Sequence, residues 1–335
     1  MDVDGGGEDN TEAPLDASGI TGLIFGGGGS RGYVAHVAAL ASLKERRCLD
    51  LSRIVNVHGT SIGAVVAFLL CITKSPAHLW KLATPTVFSD LLDDGHMTNL
   101  VAQCGWSTAR RARAFLEDQL ADALGTRSMT FRAFAAATGM NLVVNATDMV
   151  TCKGTVFSVA STPDVSVVSA ILASCALPFV VAPQKIVLDD SEGLFLDGGI
   201  ACNYLGCIER LGGATMPSGP ATLGIRIVHQ SATAPSADAI LRSPIYYVTR
   251  LAGVILGAHQ DRAPNVRTID INPCATSIFS LTLSQETIRR LKETAEIAVS
   301  RAAARITPLP SCLSAAQRSS AAATTTCDVA CQTLV

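Results

Sequence analysis

The sequence predicts an α/β protein with a mostly parallel central sheet and helices on both faces. Three observations carry that expectation. Short apolar runs alternate with longer stretches of helical periodicity between residues 20 and 306. Two of those runs end in glycine-containing turns that lead straight into helices. Hydrophobic residues make up 48% of the chain and aromatics only 5%, which supports a large, mostly aliphatic core. Strands that alternate with helices favour a parallel or mixed sheet, because each crossover lays a helix on a sheet face.

In chain order, Ile20-Phe25 is a buried-strand pattern that ends in glycines. From Arg31 to Arg46, Val34, Val37, Ala38 and Ala41 recur at helical spacing. Ile54-Val57 repeats the arrangement, running through His58-Gly-Thr-Ser-Ile-Gly63 into the apolar AVVAFLLCITK helix. Further strands are predicted at Asn141-Ala146, Thr155-Ala160, Gly193-Leu196, Leu223-His229 and Val266-Ile271, with helices over 108–124, 165–176 and 285–304. Ser284 is the expected N-cap of the last helix. No linker interrupts 20–306, so one domain is expected there. Residues 1–19, acidic and Gly-rich, and 307–335, rich in Ser, Thr and Ala, read as disordered tails.

Composition excludes several classes. The longest apolar run, Ala64 to Ile72, is half of the roughly 18 residues that a membrane span requires. The N-terminal stretch lacks the basic and apolar regions of a secretory signal, so an intracellular, peripheral location is expected. The first 19 residues hold six acids and no base, which leaves the rest of the chain mildly positive. That charge is too diffuse for nucleic acid but suits an anionic lipid surface. The eleven cysteines show no zinc-ligand spacing. Cys202 with Cys207, and Cys327 with Cys331, lack a second pair, so no metal and no cofactor is expected. The sequon at Asn145-Ala-Thr147 falls in a predicted strand and reads as chance.

The run Phe25-Gly-Gly-Gly-Gly-Ser-Arg-Gly32 contains Gly27-x-Gly29-x-x-Gly32, which fits a dinucleotide-binding fingerprint. Such a fold needs an acid at the end of the second strand to hold the ribose. Here that strand end reads Val57-His58-Gly59, with Glu45 and Asp50 lying earlier. The position is occupied instead by Gly59-Thr-Ser-Ile-Gly63, a Gly-x-Ser-x-Gly pattern on a strand-to-helix turn, which is the form of a nucleophile elbow. The two glycine motifs complement each other. Ser61 would be a nucleophile, and the backbone N–H groups of the Gly27–Gly29 turn would stabilise an oxyanion. Arg31 is placed to orient the loop or to offset the charge of a phosphate-bearing substrate.

The base has two readings. Six histidines (36, 58, 78, 96, 229 and 259) allow a triad ordered Ser61, Asp197, then His229 or His259. Asp197-Gly-Gly199, directly after an apolar strand, is either a plain Asp-Gly turn or an exposed carboxylate able to act as a general base.

Gly27-Gly-Gly-Ser-Arg-Gly32, Gly59-Thr-Ser-Ile-Gly63 and Asp197-Gly-Gly199, in that order, resemble the patatin-like phospholipase family. Val144-Asn-Ala-Thr-Asp148 with Thr155-Val-Phe157, and Ala170-Ile-Leu-Ala-Ser-Cys-Ala-Leu-Pro178, extend the resemblance over roughly 20–300. It implies a patatin-like three-layer sandwich and calcium-independent lipid acyl hydrolysis by a Ser-Asp dyad. Ser61 would be the nucleophile, Asp197 the base, and Gly27, Gly28 and Gly29 the oxyanion hole. Arg31, Gly32, Gly59, Gly63, Gly198 and Gly199 would support these motifs, and His58 would be structural. The expected partner is a phospholipid or other glycerolipid at a membrane surface, with an unidentified protein activator possible. Asn203-Tyr-Leu205 departs from the family's Asn-x-Pro. Segment 80–107 carries no motif and is the expected lid or acyl-pocket wall. Two rival readings stand: a catalytically silent lipid-binding scaffold of the same fold, and a nucleotide-binding oxidoreductase.

Overall fold

The computed structural model describes residues 15–84, 87–92, 94–189, 191–228, 254, 262–273 and 282–310. Its centre is an eight-stranded sheet. In chain order the strands and main helices are β1 (Gly22–Phe25), α1 (Gly29–Glu45), β2 (Asn56–Thr60), α2 (Ile62–Thr73), α3 (Arg110–Leu124), β3 (Asn141–Asp148), β4 (Lys153–Phe157), α4 (Val167–Ser174), β5 (Gln184–Leu188), β6 (Ser191–Leu196), β7 (Thr222–Ile227), β8 (Arg267–Ile271) and α5 (Gln285–Ala303). Strands β8, β7, β1, β2 and β3 run parallel in that spatial order, whereas β4, β5 and β6 pair antiparallel. The expected strands and helices are therefore present, several of them shifted by a few residues at their ends.

Alternation along the strands sends side chains to opposite faces. Leu23, Phe25, Val57, Leu142 and Val144 point into the main core, which α1, α2, α4 and α5 help to build. Ile24, Val143 and Val156 point the other way, into a smaller core closed by Cys202, Tyr204, Leu205, Cys207, Met216 and Val266. Helix α2 is apolar nearly all round because it lies inside the larger core, with Ile62 through Ala64 and Val66 through Cys71 buried. Phe68 stacks on Phe134 there with ring centroids 5.8 Å apart, and each fully buried phenylalanine is worth about 1.5–3 kcal/mol. On α5, Ser284 accepts from the Thr287 N–H at 3.1 Å, which caps the helix as the sequence predicts.

The tail boundaries move. Leu15–Asp16 pairs in parallel with Ile306–Thr307, so 15–19 and 307–310 belong to the folded body rather than to the tails. Backbone pairing accounts for the difference, because it is not visible in composition. Residues 1–14 and 311–335, where the two tails were otherwise expected, lie outside the described residues. Among the described residues no helix is long and apolar enough to cross a membrane.

Sheet topology places the site. Val144 and Asn145 of β3 pair with both β2 and β4, and Thr147 and Asp148 pair with both β4 and β6. A strand has two edges, so β2 and β6 share the edge opposite β4 and run toward each other along it. Strand β2 stops at Thr60, opposite Asn145, and β6 stops at Leu196, opposite Thr147. The next residues on the two converging chains are Ser61 and Asp197.

Candidate active site

Ser61 has φ 53° and ψ −127°, a left-handed conformation that a side chain rarely adopts. The turn is held from behind. A Cβ on Gly63 would lie 2.3 Å from the Phe25 carbonyl oxygen, and one on Gly59 would lie 2.4 Å from the Gly63 carbonyl oxygen. Only glycine lets the elbow close so tightly against β1. Ser61 precedes α2 but makes no side-chain capping bond. Its hydroxyl instead donates to Asp197 Oδ2 at 2.7 Å, while its N–H donates to Ser174 Oγ at 2.8 Å.

Asp197 is buried, and its Oδ1 accepts the Gly199 N–H at 2.8 Å. Burial pushes its carboxyl up to about 6, against the opposing pull of the Ser61 and Gly199 hydrogen bonds. A carboxylate tuned toward neutrality and touching a half-buried serine hydroxyl has the geometry of a general base beside a nucleophile.

Asn145 ties the two converging chains together. Its Oδ1 accepts from Thr60 Oγ1 at 2.7 Å, and its Nδ2 donates to the carbonyls of Gly198 and Cys202 at 3.0 and 3.1 Å. Thr147 adds a bond from Oγ1 to the Asp197 carbonyl at 2.8 Å and accepts the Ala201 N–H at 3.1 Å. The sequon is therefore structural, since Asn145 is fully buried. Sequence reasoning missed Asn145, Thr147 and Ser174 as site residues. The available signal was that each stands inside a motif segment, in the Asn-Ala-Thr-Asp and Ala-Ser-Cys-Ala runs.

The glycine loop approaches Ser61 closely: a Cβ on Gly27 would be 3.4 Å from Ser61 Cβ and 2.2 Å from Asn203 Oδ1. The Gly27 N–H is already used, donating to the Asn203 carbonyl at 2.9 Å. Of the three expected oxyanion donors, Gly27 is thus engaged with Asn203, and Gly28 and Gly29 are the two to which the role is left as an expectation. Both stand at the start of α1, where the helix dipole favours negative charge. Asn203 fixes the loop despite the missing proline. His36 Nε2 lies 2.8 Å from the Gly26 carbonyl, and burial lowers its pKa to about 4, so the neutral ring donates and anchors the loop. Arg31 and Gly32 sit in the buried first turns of α1, and burial lowers the Arg31 pKa to about 10.

Three further histidines lie among the described residues. His58 is buried within β2, between Ile24 and Val143, and burial lowers its pKa to about 4. His78 contacts Gln119, and His96 caps the helix Met97–Gln103. His229 and His259 lie outside the described residues. Cys202 and Cys207 both donate to the Tyr204 carbonyl, at 3.3 and 3.0 Å. Among the described residues no group of three His, Cys, Asp or Glu side chains could hold a metal ion.

Comparison with known proteins bears on this arrangement. The patatin-like phospholipase family model matches residues 23–205, a span that runs from β1 past both Ser61 and Asp197. The chain belongs to the patatin-like phospholipase family. Among relatives, a probable lipid hydrolase of Invertebrate iridescent virus 6 is 27% identical over 184 residues, covering 54% of this chain and 60% of the viral protein. An uncharacterised protein of Acanthamoeba polyphaga mimivirus is 26% identical over 201 residues, covering 59% of this chain and 64% of its own length. The match thus spans less than two thirds of either relative. VipD from Legionella pneumophila shares the fold at a TM-score of 0.55 and 13% identity, over 84% of this chain and 66% of its own. This patatin-like architecture is the fold class that the sequence predicts.

Proposed function

We propose that this patatin-like protein is a lipid acyl hydrolase that cleaves fatty-acyl esters of phospholipids or related glycerolipids at a membrane surface, without calcium. The observation that carries the reading is the 2.7 Å bond from Ser61 Oγ to Asp197 Oδ2, made by a serine at positive φ. The family match and the lipid-hydrolase name of the iridescent virus relative support the substrate class.

In the proposed mechanism Asp197 takes the Ser61 proton as Oγ attacks the ester carbonyl carbon. The Gly28 and Gly29 N–H groups receive the oxyanion, an interaction worth about 3–4 kcal/mol per good donor. Collapse breaks the bond to the lysolipid oxygen, which takes the proton from Asp197, and leaves an acyl-Ser61 ester. Asp197 then deprotonates water, whose attack releases the fatty acid and restores the serine.

The test is incubation of the protein and its Ser61→Ala variant with mixed phospholipid vesicles under a calcium chelator, with released fatty acid read by mass spectrometry. Release that depends on Ser61 and survives chelation is the expected result. Stoichiometric vesicle binding with no hydrolysis of any lipid would favour the silent scaffold.

A further inference from the structure

Residues 94–108 form a closed loop that holds its own shape. The Asp94 carboxylate accepts from the hydroxyls of Ser107 and Thr108 and from the Thr108 N–H, which pins the two ends together. The Trp106 carbonyl accepts the His96 N–H at 2.9 Å and Asn99 Nδ2 at 3.2 Å. Gly105–Ser107 pairs with Phe179–Val181, so the loop is docked on the body by backbone bonds.

An ordered loop usually turns its apolar side chains inward, and this one does the opposite. The helix Met97–Gln103 buries none of its residues. Val101 is 82% exposed, Met97 58%, Phe179 50% and Trp106 40%. Met97 and Val101 lie one turn apart on this helix, and with Trp106 just after it they leave three large apolar side chains outside, exposure of the kind that marks an interaction surface. Within segment 80–107, where a lid or acyl-pocket wall is expected, residues 94–107 are a platform that turns Met97, Val101 and Trp106 outward.

Charge and position identify the occupant. Between residues 94 and 113 the only acid is Asp94, turned inward onto Ser107 and Thr108, while Arg110 and Arg111 stand exposed just past Trp106. Apolar tips with a tryptophan, flanked by arginines, suit the interface of an anionic bilayer. The strand that docks the loop is joined along the chain to the residues that hold Ser61 and Asp197. Phe179 follows Ser174, which holds the Ser61 N–H, by five residues, and the Ala176 carbonyl between them accepts the Asp197 N–H at 2.9 Å.

We propose that Met97, Val101 and Trp106 form the surface that seats this protein on an anionic phospholipid bilayer, with the catalytic mouth facing the lipid. The inference rests on the lipid-hydrolase reading, and its test separates the two. The chain has two tryptophans, so a Trp80→Phe background leaves Trp106 as the reporter. Vesicles of phosphatidylcholine, with and without phosphatidylserine, are titrated into this protein carrying Ser61→Ala, so that binding is read without turnover. The Trp106 emission shifts to the blue, more strongly with phosphatidylserine. In the same background Met97→Asp with Val101→Asp weakens vesicle binding by about tenfold or more. In the active protein that double substitution leaves hydrolysis of a soluble short-chain ester unchanged.

Vesicle binding with an unmoved Trp106, or unaffected by the double substitution, would overturn the assignment. So would sedimentation showing a dimer that the substitutions dissociate, which would make the surface a contact between copies. Absent hydrolysis of the soluble ester by the active protein would instead overturn the lipid-hydrolase reading, while the binding signal is read independently.

Discussion

Ser174 and Phe179 are five residues apart and belong to regions built on opposite rules. Where Ser61 meets Asp197, polar groups are buried and paired: Asp197, Asn145, Thr60 and Ser174 each have a named partner. At the platform apolar groups are exposed, and a rigid backbone holds them out. The first arrangement holds Ser61 Oγ and Asp197 Oδ2 within hydrogen-bond distance. The second leaves apolar area to be buried only when something docks. Substitutions at the junction should therefore cost turnover or folding, and those at the platform should cost neither.

The largest expected effect is on turnover. Asp197→Asn should lower kcat on a soluble ester by about 10²–10⁴-fold, since in the proposed mechanism it removes the general base. The same change should raise stability at neutral pH. Below 3.8 the carboxyl is protonated in both folded and unfolded states, and it costs nothing. As pH climbs toward about 6 the unfolded chain ionises first, so the native state loses stability over that window and bears the whole penalty above it. At pH 7 the asparagine should recover up to about 3 kcal/mol, and below pH 3.8 nothing, as thermal melts across pH would show. A variant that loses both activity and stability would break the contrast.

Gly63→Ala comes next. Its Cβ would meet the Phe25 and Gly26 carbonyls at 2.3 and 2.6 Å, so about 3 kcal/mol should be lost in denaturant melts, together with activity. Asn145→Ala should cost about 2–3 kcal/mol, because the Thr60 hydroxyl and two carbonyls lose their partner in a buried site. On the proposed mechanism the pH profile of kcat/KM should show an acid limb with an apparent pKa of about 6, falling tenfold per unit below it because a protonated Asp197 could not take the serine proton. The smallest effect should come from Val101→Ser, which should leave the melting curve within about 0.5 kcal/mol of the parent.

The two regions also differ in how far the sequence reveals them. The elbow was legible because close backbone approach demands glycine, and that demand leaves fixed spacing at Gly59 and Gly63. Asp197 was legible only through family resemblance, since Asp-Gly-Gly alone is an ordinary turn. The clamp at Asn145 was not legible, because it depends on β2 and β6 sharing one edge of β3, a pairing with no local signature. Gly27 shows the reverse error: a glycine chosen for close approach looked like an oxyanion donor, but its N–H serves the Asn203 carbonyl. The platform had no motif at all. Exposure of Val101 and Met97 is a tertiary outcome, and an amphipathic reading of 97–103 would place them inward.

The most direct measurement of the central claim is the rate of fluorophosphonate labelling, followed by intact mass, in the parent, Ser61→Ala and Asp197→Asn proteins. A Ser-Asp dyad predicts one adduct on Ser61 in the parent, none in Ser61→Ala, and labelling slowed by orders of magnitude in Asp197→Asn. Labelling that persists without Ser61, or proceeds at the parental rate in Asp197→Asn, would contradict it. Parental-rate labelling in Asp197→Asn would pass the role of base to a histidine such as His229 or His259.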